Sequence, residues 1–249
     1  MSERASLAMY NHPEVQGATE QFWCRIAEAL RAEGIHAPTK LSKGGLGSAF
    51  WRDPDLVLSQ TCGYPYRIFL KNHVNFVGTP DYGLLGCPPG HYHSVIVVHA
   101  GSPYVRANDL DRALFAYNDM ESQSGFHGPL SWAHGAGVTL IPTLNTEAHS
   151  ASARAVAEGK ADVAGIDGVT WKLIERYDAV AKHLRVVART NPVPGLPLIC
   201  AKRFEAETIA SSLSAAIDTL DMEVKEALMI TGLSDLRASD YTAAAFGAS

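Results

Sequence analysis

The chain has 249 residues, of which 47% are hydrophobic and 19% are charged, and its formal net charge is −5. This composition is typical of a globular protein large enough for one big domain or two smaller lobes. The negative charge and the lack of basic runs argue against a nucleic-acid-binding surface, and no apolar stretch is long enough to insert into a membrane.

Apolar runs alternate with amphipathic segments along the chain, which predicts strands alternating with helices. In the first hundred residues the pattern predicts strands over 5–9, 56–59, 74–77 and 94–99, and a helix over 18–33. Further strands are predicted over 114–117, 138–141, 161–166, 185–189 and 198–201. Helices are predicted from 125 onward and over 151–158, 169–184, 205–220 and 222–230.

This alternation implies an α/β fold with mostly parallel sheets flanked by helices. Turn-rich sequence just after His99 and a Gly/Pro-rich stretch near residue 195 predict two crossings of the chain between lobes. The first lobe would comprise residues 1–99 and 191–249, and the second lobe residues 100–190. Two crossings form a hinge, so we expect a ligand site in a cleft between the lobes.

Small polar residues follow two of the predicted strands, in each case where a helix begins. The first set is Ser122, Ser124 and Gly125, and the second set opens with His149. Two serine hydroxyls and an unpaired amide of Gly125 at a helix N-terminus predict a site for an anion, because the free N–H groups and the helix dipole both favour negative charge. Helix capping is the alternative role for the serines.

The residue types at other positions suggest no catalytic or metal site. The four cysteines are scattered and are predicted to be thiols rather than a disulfide framework or a zinc site. Cys87, His91 and His93 have side chains that can bind a metal, but no second ligand pair lies near them in the sequence. We interpret them as part of a solvated loop that leads into a strand.

Four segments in order along the chain resemble the phosphate/phosphonate-binding proteins of ABC transporters. The segments are residues 53–65, 93–98, 118–125 and 155–167. The resemblance covers nearly the whole chain, and the S-x-S-G turn and the A-x-G-x-A-D-V-A-x-I-D pattern contribute most to it. It implies the type II periplasmic-binding-protein fold, with two lobes joined by two hinge crossings.

The resemblance also implies which residues contact the ligand. In the family the S-x-S-G turn holds the phosphonate oxygens, and it matches Ser122–Gly125, with Gln123 in place of the commoner threonine. A histidine at the next helix start also contacts the phosphonate, and it matches His149. A carboxylate beyond the following strand faces the rest of the ligand and matches Asp167, for which helix capping is the alternative role.

Aromatic side chains of the first lobe close over the ligand in this family. Tyr10 follows the first predicted strand and Tyr64 lies in the turn-rich loop after the second, so both are candidate ligand contacts. A packing role is the alternative for each.

By this resemblance the chain is a substrate-binding protein and not an enzyme. It would capture a small phosphonate, phosphate ester or similar oxyanion in an interlobe cleft for ABC-type uptake, as a monomer and without cofactor or metal. Its partners would be a membrane permease and an ATPase. The resemblance implies a periplasmic location, whereas residues 1–10 show no secretory signal and favour a cytoplasmic one. The alternative function is a cytoplasmic enzyme, or a ligand sensor, built on the same fold.

Overall fold

A computed structural model describes residues 3–246 and has a mixed α/β architecture. In chain order its strands are β1 (Arg4–Ser6), β2 (Leu56–Gln60), β3 (Val74–Gly78), β4 (Pro80–Asp81), β5 (His91–Tyr92), β6 (Ser94–His99), β7 (Leu114–Tyr117), β8 (Ile141–Asn145), β9 (Val163–Asp167), β10 (Leu184–Arg189), β11 (Val193–Pro194), β12 (Leu198–Ala201) and β13 (Gly232–Leu233).

The α-helices are α1 (Gln16–Ala32), α2 (Ser48–Trp51), α3 (Gly63–Pro65), α4 (Gly128–Gly135), α5 (His149–Ala157), α6 (Gly168–Tyr177), α7 (Ala206–Asp218) and α8 (Met222–Leu228). Short 3-10 turns cover Ala8–Tyr10, Pro13–Val15, Ala107–Leu110, Ala179–His183, Ala238–Asp240 and Ala244–Phe246, and π-type turns cover Tyr66–Leu70 and Gln123–His127. Among the described residues, no helix combines the length and the apolar character needed to cross a lipid bilayer.

The chain forms two compact units. Unit 1 contains the chain up to Leu85 together with Pro194–Thr242, and unit 2 contains Gly86–Val193 together with the described residues from Ala243. The first crossing was predicted after residue 99, which is later than the boundary at residue 85. The difference arises because β6 is hydrogen bonded to β9 and β10 and so belongs to the sheet of unit 2.

Unit 1 is built on a four-stranded sheet with the order β1-β2-β12-β3. β1 and β2 are parallel, whereas β12 lies antiparallel to both of its neighbours. Helix α1 packs against this sheet with Phe22, Trp23, Ile26 and Leu30, which recur at the spacing of an amphipathic helix and are buried in the core.

Unit 2 is built on a five-stranded sheet with the order β10-β6-β9-β7-β8. Successive side chains of a strand point to opposite faces, so Val95 and Val97 of β6 enter one apolar cluster, whereas Ile96 and Val98 enter another. The first cluster includes residues of α5 and α6, and the second includes residues of α4. Helices therefore cover both faces of the sheet, which explains why β6 is apolar at every core position.

Both main sheets are mixed, although the sequence predicted mostly parallel ones. In unit 2, β7 is parallel to β8 and β9, but β6 is antiparallel to β9 and β10. The helical connections of successive strands favour parallel pairing, whereas β12 enters the sheet of unit 1 after an excursion through unit 2 and is free of that constraint.

Three local predictions also differ from the structure. The strand predicted over 138–141 is observed as β8, which begins at Ile141. The prediction was displaced because β8 is a half-exposed edge strand and has no continuous apolar run to mark it. The strand predicted over 5–9 ends at Ser6 and is followed by a 3-10 turn. The helix predicted over 169–184 ends at Tyr177, since the Asp178 carboxylate caps the next 3-10 turn by accepting the Val180 N–H.

Candidate functional site

The S-Q-S-G segment forms a tight, buried turn in front of α4. The Ser122 hydroxyl caps it by accepting the Gly125 N–H over 3.0 Å. The Gly125 amide was predicted to be unpaired, and this is wrong, because the Ser122 hydroxyl accepts its N–H. The side chains of Ser122, Gln123 and Ser124 are only 6%, 2% and 4% exposed. What the turn can still donate to an anion is therefore its hydroxyl protons rather than this amide.

The turn is joined to the start of α5 by one hydrogen bond. Ser124 Oγ lies 3.0 Å from His149 Nε2, and His149 is the first residue of α5. The structure thus brings together two sets of predicted site residues that are 25 positions apart in sequence. Both belong to unit 2, and both stand at the beginning of a helix, where an anion is favoured by the local dipole.

The protonation state of His149 follows from its burial. Desolvation lowers the pKa of His149 from 6.5 to about 4, while a contact with the Gly165 backbone opposes that shift. A neutral imidazole carries one proton, on either Nδ1 or Nε2. Nε2 faces Ser124, so the contact with the Gly165 backbone favours a proton on Nδ1, and Nε2 then accepts the Ser124 O–H. When the proton is on Nε2 instead, it is donated to Ser124 Oγ, and the Ser124 O–H is then free to point at an oxyanion.

Because His149 is neutral in the folded protein, we expect the free energy of unfolding to decrease at acidic pH. Because its folded-state pKa of about 4 lies below the ordinary 6.5, the unfolded chain binds more protons between these values. The stability is therefore complete above pH 6.5 and is lost as the pH falls through about 4, by on the order of 3 kcal/mol. Urea unfolding of the wild type and His149→Asn across this range measures it. An equally steep acid dependence in both proteins would contradict the assignment.

Asn118 packs directly against the turn. A Cβ atom added to Gly125 would lie 1.7 Å from Asn118 Oδ1 and 3.0 Å from His149 Cε1. The absence of a side chain at Gly125 therefore lets the asparagine and the imidazole approach the turn from two sides. Asn118 opens the segment 118–125 on which the family resemblance partly rests, but it was not predicted as a site residue.

Gly165 of β9 supports the turn from the sheet. A Cβ atom here would lie 2.2 Å from Pro129 Cγ and 3.3 Å from the Ser124 carbonyl oxygen. Gly165 was not among the predicted site residues, although a glycine in the middle of a fully buried strand is a known signal of close backbone approach.

Asp167 caps helix α6. Its Oδ1 accepts the N–H groups of Val169 at 2.8 Å and Thr170 at 3.2 Å, and the side chain is buried. This is the capping role that the sequence left open as the alternative to ligand contact. One carboxylate oxygen is thereby engaged by the helix.

Variants of Asp167 distinguish helix capping from ligand contact. We expect Asp167→Ala to lower the free energy of unfolding by about 1–2 kcal/mol, because two helix N–H groups lose their acceptor. Asp167→Asn retains an oxygen acceptor and should recover most of that loss. Denaturant unfolding measures both variants. A ligand affinity that falls in Asp167→Asn while the stability is kept would show a second role for the charge.

Tyr10 and Tyr64 belong to unit 1, where both have aromatic or cationic neighbours. The Tyr10 ring meets the Tyr82 ring edge to face, with centroids 4.9 Å apart. Tyr64 is half-buried, meets Phe69 at 6.0 Å, and has the Arg67 guanidinium 5.6 Å from its ring centroid. These contacts account for a packing role of each ring. The predicted contacts of Tyr10 and Tyr64 with a ligand stay predictions.

Unit 2 contains a cavity of about 510 Å³ next to the turn. Its lining includes Ser94, Gln123 and Thr190. Gln123 therefore borders the cavity, while the next residue, Ser124, is hydrogen bonded to His149. The substitution of glutamine for the commoner threonine thus places an amide, rather than a hydroxyl, at this edge of the turn.

Residues 61–241 match the model of a protein family described as ABC transporter, phosphonate, periplasmic substrate-binding protein. The chain belongs to this family. Members of the phosphonate-binding family are periplasmic substrate-binding proteins of transporters and not enzymes, and they work with a permease and an ATPase. A search of curated proteins found no match.

Solved structures share the fold of this family member. PhnD1 of Prochlorococcus marinus, in complex with methylphosphonate, has a TM-score of 0.73 at 14% identity, over 97% of this chain and 94% of that chain. A Xanthomonas citri protein bound to ATP has a TM-score of 0.69 at 15% identity, over 96% and 92%. A binding protein of an ABC phosphonate transporter from Pseudomonas aeruginosa has a TM-score of 0.67 at 16% identity, over 94% and 80%. These likenesses concern the type II binding-protein fold.

Proposed function

We propose that this member of the phosphonate-binding family captures a small phosphonate, phosphate ester or similar oxyanion for ABC-type uptake. The proposed anion site is the turn Ser122–Gly125 together with His149. The observation that carries the proposal is the 3.0 Å hydrogen bond between Ser124 Oγ and His149 Nε2, since it holds two helix starts at one place in unit 2.

The chemistry of these groups suits an oxyanion better than a cation. Ser122 Oγ accepts the Gly125 N–H, so its own proton remains to be donated. Neutral His149 can donate its Nε2–H to Ser124 Oγ, and the Ser124 O–H can then donate to a ligand oxygen. The net charge of −5 gives no general attraction for anions, so affinity has to come from these local donors.

Calorimetry on ligand-free protein tests the proposal. The purified protein is first examined by native mass spectrometry, and any bound molecule is identified and removed by unfolding and refolding. The protein is then titrated with methylphosphonate, methyl phosphate and inorganic phosphate, with methylsulfonate as a monoanionic comparison. We expect saturable binding of at least one phosphorus oxyanion. A folded, ligand-free protein that binds none of them would refute the proposal.

A matched pair of serine variants assigns the binding to the turn. Ser124→Ala removes the hydroxyl next to His149 and should weaken binding by about tenfold or more, since hydrogen bonds to a charged group contribute about 1.5–3 kcal/mol. Ser214→Ala changes an exposed serine of α7 in unit 1 and should leave affinity unchanged. Equal affinities in the two variants would exclude the turn as the anion site.

On the resemblance, Tyr10 and Tyr64 are also proposed ligand contacts, and Asp167 is proposed to face the part of the ligand beyond the anion. Replacing either tyrosine by alanine should weaken binding with little change in the ligand's preferred head group. We further propose that the protein acts as a periplasmic monomer. Light scattering during gel filtration and fractionation of the producing cells test these two points.

A further inference from the structure

Cys87 and His93 form a thiol–imidazole pair in unit 2, separate from the proposed anion site. Cys87 Sγ lies 3.1 Å from His93 Nδ1. His93 is 8% exposed and stands between β5 and β6, so the interpretation of this segment as a solvated loop is wrong for the histidine.

The surroundings of the pair hold the imidazole neutral. Burial lowers the pKa of His93, and the positive charges of Arg189 and Lys172 lower it further. With the ring proton on Nε2, the neutral Nδ1 can accept the Cys87 S–H. A neutral imidazole is the form that can act as a base toward the thiol.

The other three cysteines differ from Cys87 in their exposure. Cys62 and Cys200 are buried, and burial raises the pKa of Cys200 to about 12. Cys24 lies on the exposed side of α1. Cys87 is half-buried between the exposed residues Gly86 and Pro88, so a small reagent can reach it. Cys87 is therefore both accessible to small reagents and hydrogen bonded to a basic side chain, His93.

We propose that Cys87 is a nucleophilic thiol, activated by His93, and a site of covalent modification by small electrophiles such as low-molecular-weight disulfides. A nucleophile within hydrogen-bond reach of a general base is the arrangement that this chemistry requires. Within the described residues, no group of three or more His, Cys, Asp and Glu side chains is placed to hold a metal ion.

The proposed reaction with a disulfide is a thiol–disulfide exchange in which His93 holds the proton. The Cys87 S–H bond breaks and its proton moves to His93 Nδ1, while the sulfur attacks one sulfur of the disulfide. A mixed disulfide forms between Cys87 and that sulfur, and the other half leaves as a thiolate. The proton on His93 then passes to this thiolate, directly or through water, which returns the imidazole to its neutral form.

The test uses an aromatic disulfide, 5,5′-dithiobis(2-nitrobenzoate), on the native full-length protein, with the released thiolate followed by absorbance. We expect one thiol to react in a fast phase that is lost in Cys87→Ser and kept in Cys24→Ser. Peptide mass mapping after a substoichiometric dose should place the adduct on Cys87. A fast phase that disappears in Cys24→Ser instead would overturn the proposal.

His93→Gln distinguishes activation from mere packing. We expect this variant to keep the Cys87 adduct but to form it about tenfold more slowly near neutral pH, with the rate rising only at higher pH, since reactivity follows thiolate formation. Thermal unfolding confirms that the variant is folded. If it does not fold, the pH profile of the wild-type Cys87 rate decides: a plateau reached below the ordinary thiol pKa of about 8.5 supports the proposal. A wild-type profile that follows an ordinary thiol, or a His93→Gln profile that is the same as the wild-type profile, refutes activation.

Discussion

Replacing Gly125 with alanine is expected to weaken phosphonate binding by about ten- to a hundredfold. The added Cβ would meet Asn118 Oδ1 at 1.7 Å and His149 Cε1 at 3.0 Å, so the turn or both neighbours must move. Overpacking of this kind typically costs about 1–3 kcal/mol, and the cost here falls on the geometry that presents the Ser124 hydroxyl.

A double variant makes this prediction specific. Asn118→Ala removes the atoms that the new Cβ would strike first, so Asn118→Ala/Gly125→Ala should recover part of the affinity lost in Gly125→Ala. Calorimetry with methylphosphonate on ligand-free proteins gives the three affinities. No difference between the single and double variants would show that contact with Asn118 is not the cause, and unchanged affinity in Gly125→Ala would contradict the close packing itself.

Gly165→Ala is expected to destabilise the protein by about 3 kcal/mol or more. The new Cβ would lie 2.2 Å from Pro129 Cγ and 3.3 Å from the Ser124 carbonyl oxygen, at the centre of a strand whose residues are all buried. A proline ring and a backbone carbonyl cannot turn aside as a long side chain can. The strain must therefore be relieved by shifting α4 or the sheet, which is costly in a close-packed interior.

The matched control for this variant is Gly135→Ala, at the end of α4 in the same unit. A Cβ there meets no atom within 4 Å, so the change should be within about 1 kcal/mol of neutral and can be stabilising. Urea unfolding followed by circular dichroism measures both free energies of unfolding. Similar values for the two variants would mean that β9 and α4 are not packed as described.

Much of the fold of each unit could be predicted from local patterns. The apolar run of β6 was predicted over its observed bounds, and α1 was predicted within two residues at its start. Both were predictable because buried strands and amphipathic helices require apolar residues at a regular spacing. The edge strand β8 was displaced by three residues. An edge strand contacts the core on fewer sides, so its sequence carries a weaker pattern.

The candidate site was predicted in part. The S-x-S-G turn and the His149 helix start could be named in advance, because polar residues at helix N-termini are local features. The hydrogen bond from the Gly125 N–H to Ser122 and the packing of Asn118 against the turn could not be predicted. Gly165 had a sequence signal, but its contact with the Ser124 carbonyl could not be predicted either. These are contacts between segments that are distant in sequence or depend on the conformation of one turn.

The α/β class, the order of most elements and the family follow from the amino-acid sequence, since each rests on residues that are close together in the chain or on motifs in a fixed order. Three features became known from the three-dimensional fold: the direction of β12 and β6 in their sheets, the passage between units before residue 86, and the pairing of Cys87 with His93. Strand direction, chain crossing and the burial of a histidine depend on which distant segments pack together, and the local sequence carries little information about that choice.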